Sequence, residues 1–285
     1  MANTRMIRSR IRGVHNTAKI TRAMEMVASS KMRKAQERGL AGRPYSDKIK
    51  QVIADLAALP TTDEGVHPLL QRRPVNNIAI IHITPDRGLS GGLDANLNRK
   101  TATFILQQQA PVSLIMVGRR GIDYMRRYGR NIRAEFTKLS DKPSLLDTLP
   151  ISRIIIDDYS NGLIDMAYLV YPQFINTMRQ VPVIQQILPV VPDEVAQSQN
   201  SDYIFEPNPM GVLNQLLPRF VESEIYHAIL ESIASEQSAR MVAMRNATES
   251  ANELVQSLTL AYYKARQESI TSELLDIVGG ASAIA

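Results

Sequence analysis

The sequence predicts an α/β protein joined to a coiled coil: a long antiparallel two-helix coiled coil formed by the N- and C-terminal helices, with a mainly parallel, Rossmann-like α/β domain inserted between them. Three observations predict it. Residues Arg219 to Val278 contain neither proline nor glycine, and an unbroken helix of that length reaches about 90 Å, several times the width of a small domain, so no single core can bury it. Both chain ends repeat apolar or small residues at alternating four- and three-residue spacing, the seam of a left-handed coiled coil. Between the ends, β-branched runs alternate with helical patterns, the arrangement of an α/β sheet.

The first element is a helix with a seam of Ile7, Ile11, Val14, Ala18, Thr21, Glu25, Ala28, Met32 and Ala35, in which Glu25 is the only misfit. Gly13 is the single glycine before Gly39, and Gly39, Gly42 and Pro44 predict a bend before the pattern resumes to Leu59. Residues 1–59 therefore form the N-terminal coiled-coil segment. Pro60 to Pro74 reads as a connection. The α/β domain spans 75–190, with buried strands at Asn77–Thr84, Val112–Val117 and Met166–Tyr171 and a weaker one at Val183–Val190. Helical patterns fall at Asp94–Gln109, Gly121–Tyr128 and Leu145–Tyr159, so the sheet is covered on both faces. Val191 to Pro209, with a polar centre, leads to the C-terminal segment 209–285. Its seam is Met244, Thr248, Ala251, Val255, Leu258, Tyr262 and Ala265, small enough for a partner backbone to come close.

Composition narrows the function classes. The chain has 285 residues, 44% of them hydrophobic, which is enough for a core. It has no cysteine, which excludes disulfides, thiolate nucleophiles and cysteine metal sites together. Tryptophan is absent and aromatic residues are few, which suits helix packing better than a deep small-molecule pocket. No run of eighteen apolar residues occurs, and MANTRMIRSR lacks the apolar segment of a signal peptide, so the expectation is a soluble chain that is not exported. The net charge of +5 is unevenly spread: residues 1–50 carry 13 Lys and Arg against 3 acids, and residues 209–285 carry 5 against 9. Two helices so charged attract if packed together. The basic residues surround an apolar seam without interleaved aromatics, which argues against nucleic acid.

Few residues suggest chemistry. Gly88 to Gly92 fits G-x-S-x-G between a strand and a helix, where a hydrolase nucleophile would be Ser90. Such a serine needs a histidine base, and the only histidine after it is His227, inside the long C-terminal helix. A tight turn is the simpler reading. A phosphate cradle at the helix start is conceivable, but neither the Walker pattern nor G-x-G-x-x-G is present. His15, His67, His82 and His227 have no metal-ligand spacing and read as structural. The arginines from Arg119 to Arg133 read as a solvated face or protein contact, and the adjacent Asp157 and Asp158 diverge on a helix. The alternative to a mechanical protein is an α/β hydrolase or nucleotide-binding protein with coiled-coil assembly arms.

Five segments carry a more specific signal: ITRAMEMVASSKMRKAQ (Ile20 to Gln36), DRGLSGGLDAN (Asp86 to Asn96), YLVYPQFINTMRQ (Tyr168 to Gln180), LESIASEQSARMVAMRNAT (Leu230 to Thr248) and LTLAYYKARQESITSELLDIVGG (Leu258 to Gly280). In order and across nearly the whole chain, they resemble the gamma subunits of F-type ATP synthases. The resemblance implies a central rotor stalk without catalytic residues, cofactor, metal, nucleic-acid partner or small-molecule substrate of its own. It implies rotation driven by ion flow through the membrane sector, with a ring of three alpha and three beta subunits around the coiled coil, and epsilon and the membrane c ring at the α/β domain. Carried over from the family, contacts with the beta subunits fall on Met24, Arg240, Gln267, Thr271 and Glu273, and contacts with the c ring and epsilon on Tyr203 and Glu206. The uncharged side chains of Ile277 to Ala285 suit an apolar bearing. Position 90 is Ser where relatives often have Cys, and the cysteine pair by which some photosynthetic relatives sense redox state is absent. The expected location is the cytoplasmic face of the cell membrane, as a peripheral subunit.

Overall fold

A computed structural model of the chain describes residues 2–57, 67–191, 206 and 208–284. Two compact units emerge, one made of Met1–Ala28 with Arg240–Ala285 and the other of Ser29–Ala239. Two long helices contribute to both: α1 (Ala2–Ala57) and α5 (Pro209–Ile284). Thr21 meets Thr248 in the first unit and Ser46 meets Glu224 in the second, so residue numbers rise along α1 as they fall along α5. The helices form an antiparallel pair.

In the first unit the seam is legible residue by residue. Ala18, Thr21, Ala28, Met244 and Ala251 are buried, and Ile7, Ile11, Val14, Glu25, Val255, Leu258, Tyr262 and Ala265 are half-buried between exposed neighbours. Small residues at these positions let the helices approach until the Thr21 and Thr248 hydroxyls lie 2.7 Å apart. Glu25 is tolerated in the seam because Arg22 on the preceding turn pairs with it at 2.8 Å.

The second unit is built on a five-stranded sheet of order β3-β2-β1-β4-β5. Its strands are β1 (Ile78–Ile83), β2 (Val112–Val117), β3 (Ile132–Phe136), β4 (Met166–Asn176) and β5 (Arg179–Leu188). The first four are mutually parallel and β5 returns antiparallel along β4. Parallel neighbours require crossovers, supplied by α2 (Leu93–Gln107), α3 (Arg119–Arg127) and α4 (Leu145–Ser160). All six residues of β1 are buried, and the two-residue period assigns them to opposite faces. Ile78 and Ile80 pack with Leu97 and Ile105 of α2 and Ile122 and Met125 of α3. Ala79, Ile81 and Ile83 pack with Ile151, Ile155 and Tyr159 of α4 and with Ile49 and Ile53 of α1 and Leu217, Val221 and Ile225 of α5.

Two sequence expectations need correction. The bend at Gly39, Gly42 and Pro44 does not interrupt α1, which runs helical through Pro44. Its flanks are held by tertiary burial, since Ser46, Ile49 and Ile53 after the proline are all buried. Pro218 likewise lies inside α5, between Leu217 and Val221, which are fully buried. Finally, β3 was not expected at all: it adds a fifth strand at the sheet edge, where its Ile, Ala and Phe alternate with Arg133 and Glu135.

Candidate functional site

The turn that follows β1 is the place where sequence suggested chemistry, and its geometry assigns its residues structural work. Ser90 is buried, and its hydroxyl donates to Asp94 Oδ1 at 2.8 Å. Asp94 Oδ2 in turn accepts from Arg120 Nε at 3.1 Å. The positive backbone angles fall on Leu89 and Gly91, not on Ser90, so the serine is not the strained residue of a nucleophile elbow. Neighbouring Asp86 accepts from the backbone amides of Arg119 and Lys138, occupying the start of α3 with a carboxylate of the chain itself. Gly118 closes the same region: a Cβ there would fall 1.8 Å from the Thr84 carbonyl oxygen, so only glycine lets β1 and the β2–α3 turn come this close.

Three of the four histidines have structural surroundings, while His15 is exposed on α1. His82 is fully buried in β1, with Nε2 2.8 Å from Asn98 Oδ1 and Nδ1 3.1 Å from the Thr101 hydroxyl. Burial lowers its pKa to about 4, against a smaller opposing effect of the Asn98 bond, so the ring is neutral. His67 accepts from the Leu69 amide at the start of a 3-10 turn, and burial lowers its pKa too. His227 fits against Gly42, where a Cβ would lie 2.4 Å from its ring. No cluster of three His, Cys, Asp or Glu side chains able to hold a metal occurs among the described residues. Several arginines of the Arg119–Arg133 group pair within the chain: Arg126 with Glu135, Arg133 with Asp158 and Arg120 with Asp94.

A cavity of about 700 Å³ lies in the second unit between α1, α5 and the β4–β5 hairpin, lined among others by Lys50, Tyr171, Gln185, Glu224 and Glu231. Glu224 is its hub, accepting from the Ser46 hydroxyl and from Gln185 Nε2 and lying 3.1 Å from Lys50 Nζ. Burial, with Glu231 and Glu224 nearby, pushes the Tyr171 phenol pKa strongly up, so the phenol stays protonated and bonds Gln185 Oε1. Sequence reading missed Glu224, because its partners come from α1 and β5, far away in the chain.

The residues expected to make external contacts have dissimilar surroundings. Met24 is half-buried beside the seam, and Arg240 is only 9% exposed. Gln267, Thr271 and Glu273 are exposed on α5, the last with its carboxylate 3.3 Å from the Ser269 hydroxyl. Glu206 is exposed, and Tyr203 lies outside the described residues. On α5, Leu260, Tyr263, Ile270, Leu274 and Ile277 are exposed large apolar side chains. With Gln267 they follow a three-four spacing on the side of the helix opposite the Leu258, Tyr262 and Ala265 seam, given 100° per residue. This end of α5 thus has two apolar stripes, and one of them is open.

Comparison with known proteins agrees with this geometry. The ATP synthase family model matches residues 3–284. The ATP synthase gamma chain of Dehalococcoides mccartyi (strain CBDB1) is 66% identical over 285 residues, covering all of both chains. That of Roseiflexus sp. (strain RS-1) is 48% identical, covering 100% of this chain and 99% of its own. Among solved structures, a chain of the Euglena gracilis mitochondrial ATP synthase in rotational state 3 superposes with a TM-score of 0.67 at 19% identity, covering 99% of this chain and 95% of that one. One from the central stalk and c ring of the Tetrahymena thermophila enzyme gives 0.62 at 23%, covering 80% and 99%. At such identities the structures speak for the fold alone. Matched from residue 3 to residue 284 and so close to gamma chains along its full length, this chain belongs to the ATP synthase family.

Proposed function

We propose that the chain is the central rotor subunit of an F-type ATP synthase, coupling ion flow through a membrane c ring to ATP synthesis or hydrolysis on beta subunits. The observation that carries the reading is the open stripe on α5. Leu260, Tyr263, Ile270, Leu274 and Ile277 are exposed, and a contiguous apolar surface of this kind marks a protein contact. A ring of three alpha and three beta subunits suits it as a bearing, because such a surface packs without directional bonds that would resist turning. Met24, Arg240, Gln267, Thr271 and Glu273 are the proposed contacts with the ring, and Gln267 lies in line with the stripe. Tyr203 and Glu206 are the proposed contacts with the c ring and epsilon.

The chain itself carries no catalysis in this reading: Ser90 caps a turn through Asp94, and the chemistry belongs to its partners. No helix among the described residues is long and apolar enough to cross a membrane, in keeping with a peripheral subunit held at the cytoplasmic face by the c ring. Reconstitution tests the proposal. Purified chain mixed with alpha and beta subunits is expected to assemble and to raise multi-site ATP turnover, while a version ending at Glu268, which lacks Ile270, Leu274 and Ile277, gives a smaller increase. Failure of the complete chain to assemble or to change turnover would overturn it.

A further inference from the structure

Most of the attachment between α5 and the sheet in the second unit is apolar, through Leu217, Val221, Ile225 and Ile229. Such contacts resist separation, but they have no direction and so resist rotation of a helix about its axis only weakly. Hydrogen bonds do have direction. Two serines of α5, Ser235 and Ser238, have no exposed surface, and both donate to backbone carbonyls of the β4–β5 hairpin. Ser235 Oγ is 2.7 Å from the Pro172 oxygen, and Ser238 Oγ is 2.8 Å from the Thr177 oxygen.

The hairpin is shaped to receive them. Pro172 lies opposite Pro182 in the β4–β5 register, and neither proline has an N–H to offer the ladder. The Pro172 carbonyl is served from outside the sheet, by Ser235. At the tip, Asn176 Oδ1 accepts from the amides of Met178 and Arg179, which fixes the turn and the direction of the Thr177 carbonyl. Gln180 Nε2 bridges that turn to the helix, 3.1 Å from the Asn176 and Thr177 oxygens and 3.3 Å from Ser238 Oγ. About three helical turns earlier on α5, Gln185 of β5 donates to Glu224. The same hairpin thus holds the helix at both places.

We infer that the β4–β5 hairpin is the seat at which the α/β sheet holds α5 against twisting, with Ser235 and Ser238 as positioning residues for torque transfer. The inference rests on the rotor reading and deepens it. A rotor driven at the sheet end must pass torque into a helix, and a small set of buried directional bonds at fixed azimuth does this where apolar packing alone slips.

The test uses the assembled complex. The chain has no native cysteine, so a bead can be attached at a single introduced cysteine, Lys142→Cys, on the exposed surface of the second unit, with the alpha–beta ring fixed to a surface. Angular fluctuation of the bead is recorded during ATP-waiting dwells. Ser235→Ala with Ser238→Ala is expected to at least double the angular variance while ATP turnover stays within twofold. Unchanged variance in a complex that assembles and turns overturns the inference and leaves the rotor reading intact. A parent complex with no rotation overturns the rotor reading instead. If the double variant does not assemble, Gln180→Ala, which retains both hydroxyls, decides: a wider variance supports the seat and an unchanged one overturns it. A change in thermal stability alone, without a change in variance, is the mark of a merely structural role and also counts against it.

Discussion

His82 lies on a fully buried strand with both ring nitrogens engaged by Asn98 and Thr101, and its pKa is lowered from 6.5 to about 4. The unfolded chain therefore binds a proton at a pH where the folded chain does not. Stability contributed by keeping this ring neutral is complete above pH 6.5 and is lost as pH falls toward 4, a change of about 3 kcal/mol at 1.36 kcal/mol per unit. Urea unfolding at a series of pH values is expected to show this slope in the native protein and to lose most of it in His82→Gln; parallel curves for the two would refute the assignment. The residue's structural role was legible in sequence from its isolation among non-ligand neighbours, but its partners were not, since Asn98 and Thr101 reach it only once α2 folds back over β1. Ser90 is a similar case. The missing histidine base could be seen in sequence, whereas the bond to Asp94 four residues on depended on where the helix began.

At the scale of elements, periodicity read the helix pair well because its physical basis is local: small residues every three or four positions leave a groove, and each seam residue proved buried or half-buried. Ala28, 1% exposed, tests how tightly that groove is filled. Ala28→Leu adds three heavy atoms to a seam with no space for them and is expected to cost about 1–3 kcal/mol. Ile20→Ala on the same helix, where the side chain is 61% exposed, should change stability by about 0.5 kcal/mol or less. Thermal unfolding followed by helical circular dichroism compares the two; equal shifts would mean that the seam is not the packed surface. Periodicity failed where tertiary packing overrides a local rule. Pro44 and Pro218 are helix breakers in isolation, yet burial on their flanks keeps each helix intact. The edge strand β3 was missed because Arg133 and Glu135 dilute its apolar residues, the ordinary composition of a strand with one solvated face.

For the molecule as a whole, the decisive property is how unevenly burial is distributed. The sheet unit has two apolar clusters, with strands β1, β2 and β4 between them. In the helix-pair unit, by contrast, no residue from Asn252 to Gly279 is buried. A helix whose packed face is only half-buried is marginal in water whatever its length-dependent propensity, so the stability of this stretch in the lone chain should lie near the bottom of the range for local opening, and that of the sheet near the global value. Hydrogen exchange on the isolated chain is accordingly expected to protect β1, β2 and β4 at least on the order of 10³-fold more than amides 259–279, a difference of about 4 kcal/mol in opening free energy. Adding alpha and beta subunits should slow exchange in 259–279 selectively, because a partner that covers the open stripe supplies the burial that the chain itself lacks. Sheet amides should hardly respond. If 259–279 were already as protected as β1 in the lone chain, the exposed apolar side chains would not be waiting for a ring. The bearing would then have to be sought on another face.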